Sequence, residues 1–195
     1  MIVVNEYLSH LECSEEPLSA DVYLIRGDKY TYVVDVGNCA AALNLIESVD
    51  RKQIIITHFH PDHMGNLQNL EVDEKSLYVG DYTGKVLGYG RVVKEPVLIR
   101  DGVEVKICPI PNSHAKGALC VLTGQYLLVG DSIYCSSKGY NVSLLHDEID
   151  FLKNLDFRYL LMSHDNTVYE KAEILERLQR YYGQRGKDDP YILPL

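Results

Sequence analysis

Thr57-His58-Phe59-His60-Pro61-Asp62-His63-Met64-Gly65 sets three imidazoles and one carboxylate within six residues, directly behind the apolar run Ile54-Ile55-Ile56. His occurs only seven times in 195 residues, so this concentration needs a cause other than core packing. Like titratable rings crowded together repel once charged, and a cation is what holds such a cluster together. The stretch reads as a metal site delivered from the end of a buried strand.

Working outward, Val22-Tyr23-Leu24-Ile25, a turn at Gly27-Asp28 and Thr31-Tyr32-Val33-Val34 have the composition of a hairpin, the second strand of which runs into Asp35-Val36-Gly37. Ala42, Leu45, Ile46 and Val49 recur at helical spacing before the chain enters Gln53-Ile54-Ile55-Ile56-Thr57. The same plan returns as Leu119 to Leu122, a turn at Gly124-Gln125, and Tyr126 to Val129 ending at Gly130-Asp131. A helix with Leu145, Ile149, Leu152 and Leu155 inward follows, then a buried strand from Arg158 to Met162 and an exit loop Ser163-His164-Asp165-Asn166. Asp35 and Asp131 thus hold equivalent places in two similar halves, as do His58 and His164. Leu77 to Val79, Pro96 to Ile99 and Val103 to Ile107 read as further strands between the halves, and Val168 to Tyr182 as a last helix. The tail from Lys187 shows no regular pattern. Two sheets back to back with helices outside both, a four-layer αββα sandwich of the α/β class, is the simplest architecture for strands this apolar.

The length suits a single domain over residues 1–195. A formal net charge of −9 without any Lys/Arg cluster argues against a nucleic-acid partner. No apolar run approaches a membrane span, and the start lacks the features of a signal peptide, so the expectation is a cytoplasmic protein with no membrane partner. Five scattered Cys without a Cys-x-x-Cys pair read as reduced, mostly buried thiols.

Residues so close in sequence cannot surround an ion from all sides, and His114, Asp131 and His164, each placed after an apolar strand, are the candidates to complete the coordination. The order His-x-His-x-Asp-His, His, Asp, His resembles the metallo-β-lactamase superfamily, over nearly the whole chain, as a compact single-domain member. Leu128-Val129-Gly130-Asp131 is similar to that family's apolar strand ending in Gly-Asp. The resemblance implies the αββα sandwich and two divalent ions, zinc first with manganese and iron as alternatives. His58, His60 and His114 would hold the first ion, Asp62, His63 and His164 the second, with Asp131 bridging. Asp35, matching the family's Asp-x-Gly, would support the ligand loop through hydrogen bonds.

The activity implied is hydrolysis by a hydroxide held between two metals, with Asp62 and Asp131 as catalytic carboxylates. Asp stands where the common zinc β-lactamases have Cys, which argues against antibiotic cleavage. His60 stands where the diiron flavoproteins usually have Glu, which argues against that redox chemistry. The ligand set resembles the glyoxalase II type, although the stretch after His164 is too short for that type's added helical domain. Tyr134, three residues after Asp131, is similar to a Tyr of the acyl-homoserine lactonases that meets the lactone, and it joins Asp62 and Asp131 as a catalytic candidate. Lys116 is a candidate contact for an anionic group, and Cys135 a candidate substrate contact. The reading is a hydrolase of an ester, thioester or lactone acting on a small molecule. An iron redox or sensor protein, or a phosphodiesterase, is the alternative. Loops at Gly80–Gly90 and Ser136–Asn141 are expected to set specificity, and a homodimer partner is expected to wall the pocket.

Overall fold

The computed structural model describes residues 1–193. In chain order, the first half runs β1 (Ile2–Val3), β2 (Leu8–Leu11), a small hairpin of β3 (Ser14–Glu15) and β4 (Leu18–Ser19), β5 (Val22–Arg26), β6 (Thr31–Val34), α1 (Ala40–Glu47), β7 (Lys52–Ile55), α2 (Pro61–Met64), β8 (Leu77–Val79), α3 (Asp81–Leu87) and β9 (Arg91–Val92). The second half runs β10 (Val97–Asp101), β11 (Val103–Pro109), β12 (Leu119–Thr123), β13 (Tyr126–Leu128), β14 (Tyr140–Asn141), α4 (Val142–Asn154), β15 (Tyr159–Met162), β16 (Asp165–Glu170), α5 (Lys171–Gly183) and β17 (Tyr191–Ile192).

One sheet has the strand order β1-β2-β5-β6-β7-β8-β9 and the other β10-β11-β12-β13-β15-β16. Their inner faces meet through Tyr23, Tyr32 and Ile55 from the first and Ile107, Val121 and Leu128 from the second. Outside the first sheet, Ala42 and Ile46 of α1 bury against Val33 and Ile54. Outside the second, Leu145, Ile149 and Leu152 of α4 and Ile174 and Leu178 of α5 cover Cys120, Leu127 and Leu160. These layers form the αββα sandwich expected of strands with apolar residues on both faces. Each fully buried aliphatic side chain contributes about 1.5–3 kcal/mol through water released from its surface.

In both halves an antiparallel hairpin is followed by a helical crossover to a parallel strand: β6 pairs parallel with β7, and β13 with β15. Parallel neighbours end at the same side of a sheet. Asp35, His58, Asp131 and His164 all follow such strands, so the repeat itself carries ligand candidates to one edge. The helices are capped locally. The Asn141 side chain accepts from the Ser143 and Leu144 amides at the start of α4, and the Cys39 sulfur accepts from the Ala42 amide at the start of α1.

Four local expectations are corrected. The last helix begins at Lys171, not Val168, because Asp165–Glu170 forms β16, an edge strand paired antiparallel with β15. Its Thr, Val and Tyr suit an extended edge, and the Tyr169 hydroxyl donates to Asp165 at 2.6 Å within the strand. The segment Gly80–Gly90 is not a plain loop; it holds α3, stopped by Gly88 at φ 81°. The tail contains β17, which pairs with β14, so the residues around Ser136–Asn141 are tied to the end of the chain. Only Cys108 and Cys120, opposite each other on β11 and β12, are buried; Cys13 and Cys39 are half-buried and Cys135 is exposed. Among the described residues no helix is long and apolar enough to cross a membrane.

Gly130, between β13 and Asp131, has φ 58°, and a Cβ there would lie 2.8 Å from the Thr57 hydroxyl oxygen and 3.0 Å from its Cβ. Gly88 also has positive φ, but a Cβ there meets nothing within 4 Å. Gly130→Ala should cost about 2–4 kcal/mol, against about 1 kcal/mol for Gly88→Ala, as the contact adds to the shared backbone strain. Urea unfolding midpoints at unchanged slope measure the difference.

Candidate metal centre

The residues of the histidine cluster owe their directions to a sharp change of backbone after β7. His60 caps α2, and Pro61 starts that helix where its missing amide costs nothing, which turns Asp62 and His63 back toward the strand ends. Asp35 is held at φ 60° just past β6 and is 1% exposed. Its carboxylate accepts the Thr57 amide at 2.8 Å, the Thr57 hydroxyl at 2.7 Å and the His63 Nδ1–H at 2.8 Å. Since the Thr57 hydroxyl donates to Asp35, its oxygen is free to accept from His58 Nδ1 at 3.1 Å. His58 and His63 are therefore both gripped at Nδ1, which turns each Nε2 toward the sheet edge.

All seven candidates converge there. Ligand atoms of His58, His60 and His114 lie within 4.8 Å of one another, as do those of Asp62, His63, Asp131 and His164. Asp131 adjoins both groups, its Oδ2 being 3.2 Å from His63 Nε2, 3.9 Å from His164 Nε2 and 4.0 Å from His58 Nε2. His164, at φ 61°, brings Nε2 to 3.0 Å from Asp62 Oδ2.

The protonation states are pushed apart. Burial, with the imidazoles of His63, His114 and His60 around it, drives the His58 pKa far below the ordinary histidine range. Burial likewise lowers His114. Burial also works against a charged His63, but the Asp35 and Asp131 carboxylates on either side outweigh it and raise the ring to about 10. The hydrogen bond to Asp62 raises His164. Asp62 is pulled below the usual carboxylate range: burial opposes this, and the His164 hydrogen bond and the His63 charge overcome it.

This donor set fits divalent ions on an observation independent of any relative. Both ring nitrogens of His114 and Oδ1 of Asp131 are buried without a hydrogen-bond partner. The His58 Nε2 and His60 Nδ1 atoms face each other at 3.0 Å. The His63 Nε2 faces two carboxylates, Asp131 at 3.2 Å and Asp62 at 3.4 Å. Unpartnered buried atoms such as those of His114 and Asp131 are costly, and a cation among them relieves them together.

A cavity of about 640 Å³ opens over the cluster, with His60, Asp62, His114, Asp131 and His164 on its floor. Leu18, Ile133, Tyr134 and Met162 form its walls. A slightly larger cavity, about 670 Å³, lies between Tyr7, Arg26, Tyr30 and Arg51, and none of the seven ligand candidates lines it. Tyr134 is half exposed, with its ring stacked on His114 at 4.9 Å, so it borders the site and does not join the core. Lys116 is exposed and does not line the cavity over the cluster. Neither does Cys135, whose thiol points to the Ser136 carbonyl at 3.7 Å. The loop bearing His114 is seated on the start of α3, where a Cβ at Gly80 would fall 1.7 Å from the Gly117 carbonyl oxygen.

Several residues of the site carry no sequence signal. Thr57 reads as the end of a strand, Leu18 and Met162 as ordinary apolar residues, and Glu148 as a polar position on α4. Glu148 is buried, accepts the Ser132 hydroxyl at 2.9 Å beside Asp131, and leaves its other oxygen without a partner.

Residues 16–72 match the family model described as the metallo-beta-lactamase superfamily. No curated protein is a sequence match to the chain. Among solved structures, a flavo di-iron protein from Thermotoga maritima is 17% identical with a TM-score of 0.63, covering 84% of this chain and 52% of its own. The chain thus spans about half the length of that relative. An archaeal metallo-beta-lactamase superfamily protein from Sulfolobus tokodaii is 19% identical with a TM-score of 0.64, covering 93% of this chain and 88% of its own. A metallo-beta-lactamase from Pontibacter korlensis is 12% identical with a TM-score of 0.68, covering 91% and 97%. The chain has the metallo-β-lactamase fold.

Burial pushes the Glu148 carboxyl up to about 7, with the Ser132 hydrogen bond opposing. A carboxyl raised in the folded state contributes stability that is complete below its unfolded pKa, near 4.5, and is lost as pH rises through about 7. In the metal-free chain this window should carry on the order of 3 kcal/mol of pH-dependent stability. Glu148→Gln should flatten the stability profile between pH 4.5 and 7, measured by urea denaturation across that range.

Proposed function

We propose that the chain is a metal-dependent hydrolase of uncharged esters, thioesters or lactones. The observation that carries this reading is the juxtaposition of two ligand groups, joined through Asp131, on the floor of one cavity with apolar walls. His58, His60 and His114 would hold the first ion, and Asp62, His63 and His164 the second, with Asp131 between them. When bound, two divalent ions supply a nucleophile from water at neutral pH and positive charge against the developing oxyanion. Zinc suits this imidazole and carboxylate set, as do manganese and iron.

The chain's own residues supply the rest. Asp62, which lines the cavity, would orient the attacking water and accept its proton. Tyr134 borders the floor beside His114, where its hydroxyl can donate to a substrate oxygen. Leu18, Ile133 and Met162 offer apolar surface to the acyl part and keep bulk water from it. Among the described residues lining this cavity none is Lys or Arg, so apart from the ions nothing on its walls would pair with an anionic group remote from the reacting bond.

A screen of the metal-replete chain over neutral esters, thioesters, lactones and phosphodiesters tests the reading. Turnover is expected with the first three classes, and kcat/KM should rise as the acyl chain lengthens along the apolar walls. Bound, redox-active iron with no hydrolysis of any class would replace this reading with redox chemistry. Asp62→Asn should lower kcat by at least about a hundredfold, the usual scale for losing a positioned proton acceptor. Full activity with two ions bound would remove Asp62 from that role.

A further inference from the structure

Three consecutive residues, Ser19, Ala20 and Asp21, leave β4 and enter β5 while almost wholly buried, at 1%, 1% and 0% exposure. Each bonds to a different part of the metal centre. The Ser19 hydroxyl oxygen accepts the Asn38 amide at 2.9 Å, on the loop that begins at Asp35. The Ala20 amide donates to the Asp62 carbonyl at 2.9 Å. The Asp21 Oδ2 accepts the His164 amide at 2.8 Å.

Asp21 is itself fixed. Its Oδ1 accepts His10 Nδ1–H at 3.0 Å and the Cys13 amide at 3.2 Å, and the His10 ring, 2% exposed, stacks on Tyr23 at 5.0 Å. The Tyr23 hydroxyl donates to the Met162 carbonyl at 2.9 Å, two residues before His164. A buried carboxylate with this set of donors is rigid, and it faces a histidine whose backbone sits at φ 61°, where a non-glycine residue needs outside support. Among the described residues, none of the three bonds to His58, His60 or His114.

We infer that the buried segment Ser19-Ala20-Asp21 acts as a clamp on the second ion's ligands through Asp21, the positioning residue for His164. This rests on the dinuclear reading proposed above. Its physical content is selectivity. Loosening the Asp21 contact frees His164 relative to Asp62 and leaves the His58, His60 and His114 group as it was.

The test uses the full chain, stripped of metal and titrated with Zn²⁺ against a chelator, with His164→Ala marking which constant belongs to the second ion. Asp21→Asn is isosteric and sets an NH₂ group against a backbone amide. It should weaken the second constant by about 10–100-fold, the usual effect of losing such support, and leave the first within about threefold. In the metal-free chain, amide exchange at His164 should be at least about tenfold faster in Asp21→Asn than in the wild type, a readout that needs no ion. Equal weakening of both constants, or no change in either with unchanged His164 exchange, overturns the clamp. A wild-type chain that binds a single Zn²⁺ overturns the dinuclear reading and the clamp's role in it, whereas faster His164 exchange would still show the Asp21 contact.

Discussion

The Asp35 carboxylate is the constraint from which the rest of the centre follows. It sits at the end of β6, beside the end of β7, and takes three donors from Thr57 and His63. Those bonds turn the chain out of the sheet, aim Nε2 of His58 and His63 at one point, and leave a left-handed backbone at Asp35 that the parallel pairing of β6 and β7 sustains. Paired with His63 inside a protein interior, such a charge is strongly coupled to its surroundings. An apolar residue there would leave Thr57 and His63 donors buried without acceptors, at a cost of about 1–3 kcal/mol each.

The two groups of ligands are held differently. The first, His58, His60 and His114, relies on Thr57 for His58 and on backbone packing for the loop of His114. The second relies on charge, with Asp35, Asp62 and Asp131 around His63 and with Asp21 beneath His164. Burial thus works against charge on His58 and His114 in the one group, while in the other the carboxylates around His63 and His164 favour the charged rings, and these rings favour the charged carboxylate of Asp62. Asp131 lies where these environments meet.

Much of this was legible in the chain as letters. The runs around Ile54-Ile55-Ile56 and Leu127-Leu128-Val129 announce buried parallel strands, and three His within six residues announce a cation. The repeated order of hairpin, helix, strand and ligand brought Asp131 and His164 into the same picture. What escaped has a common physical cause: its signal lies in partners far apart in sequence. Asp21 and His164 are separated by 143 positions, and nothing near Asp21 marks it as an acceptor. Leu18 and Met162 meet a cavity only because two sheets close around it. The start of α5 was misplaced because Val168 and Tyr169 suit a strand edge and an amphipathic helix alike. Only the pairing of β15 with β16 decides between them.

The contact between Gly80 and Gly117 bears on how such a chain can diverge. Neither position has room for a side chain: a Cβ at Gly80 would lie 1.7 Å from the Gly117 carbonyl oxygen, and one at Gly117, where φ is 68°, would lie 2.8 Å from the Tyr82 amide nitrogen. A side chain at either would push the His114 loop off the start of α3, and no change at the other would make room for it. Val86, half exposed on the outer face of α3, carries no such restriction. Homologous chains should therefore vary freely at Val86, while Gly80, just before the helix, and Gly117, at the end of the His114 loop, each stay glycine.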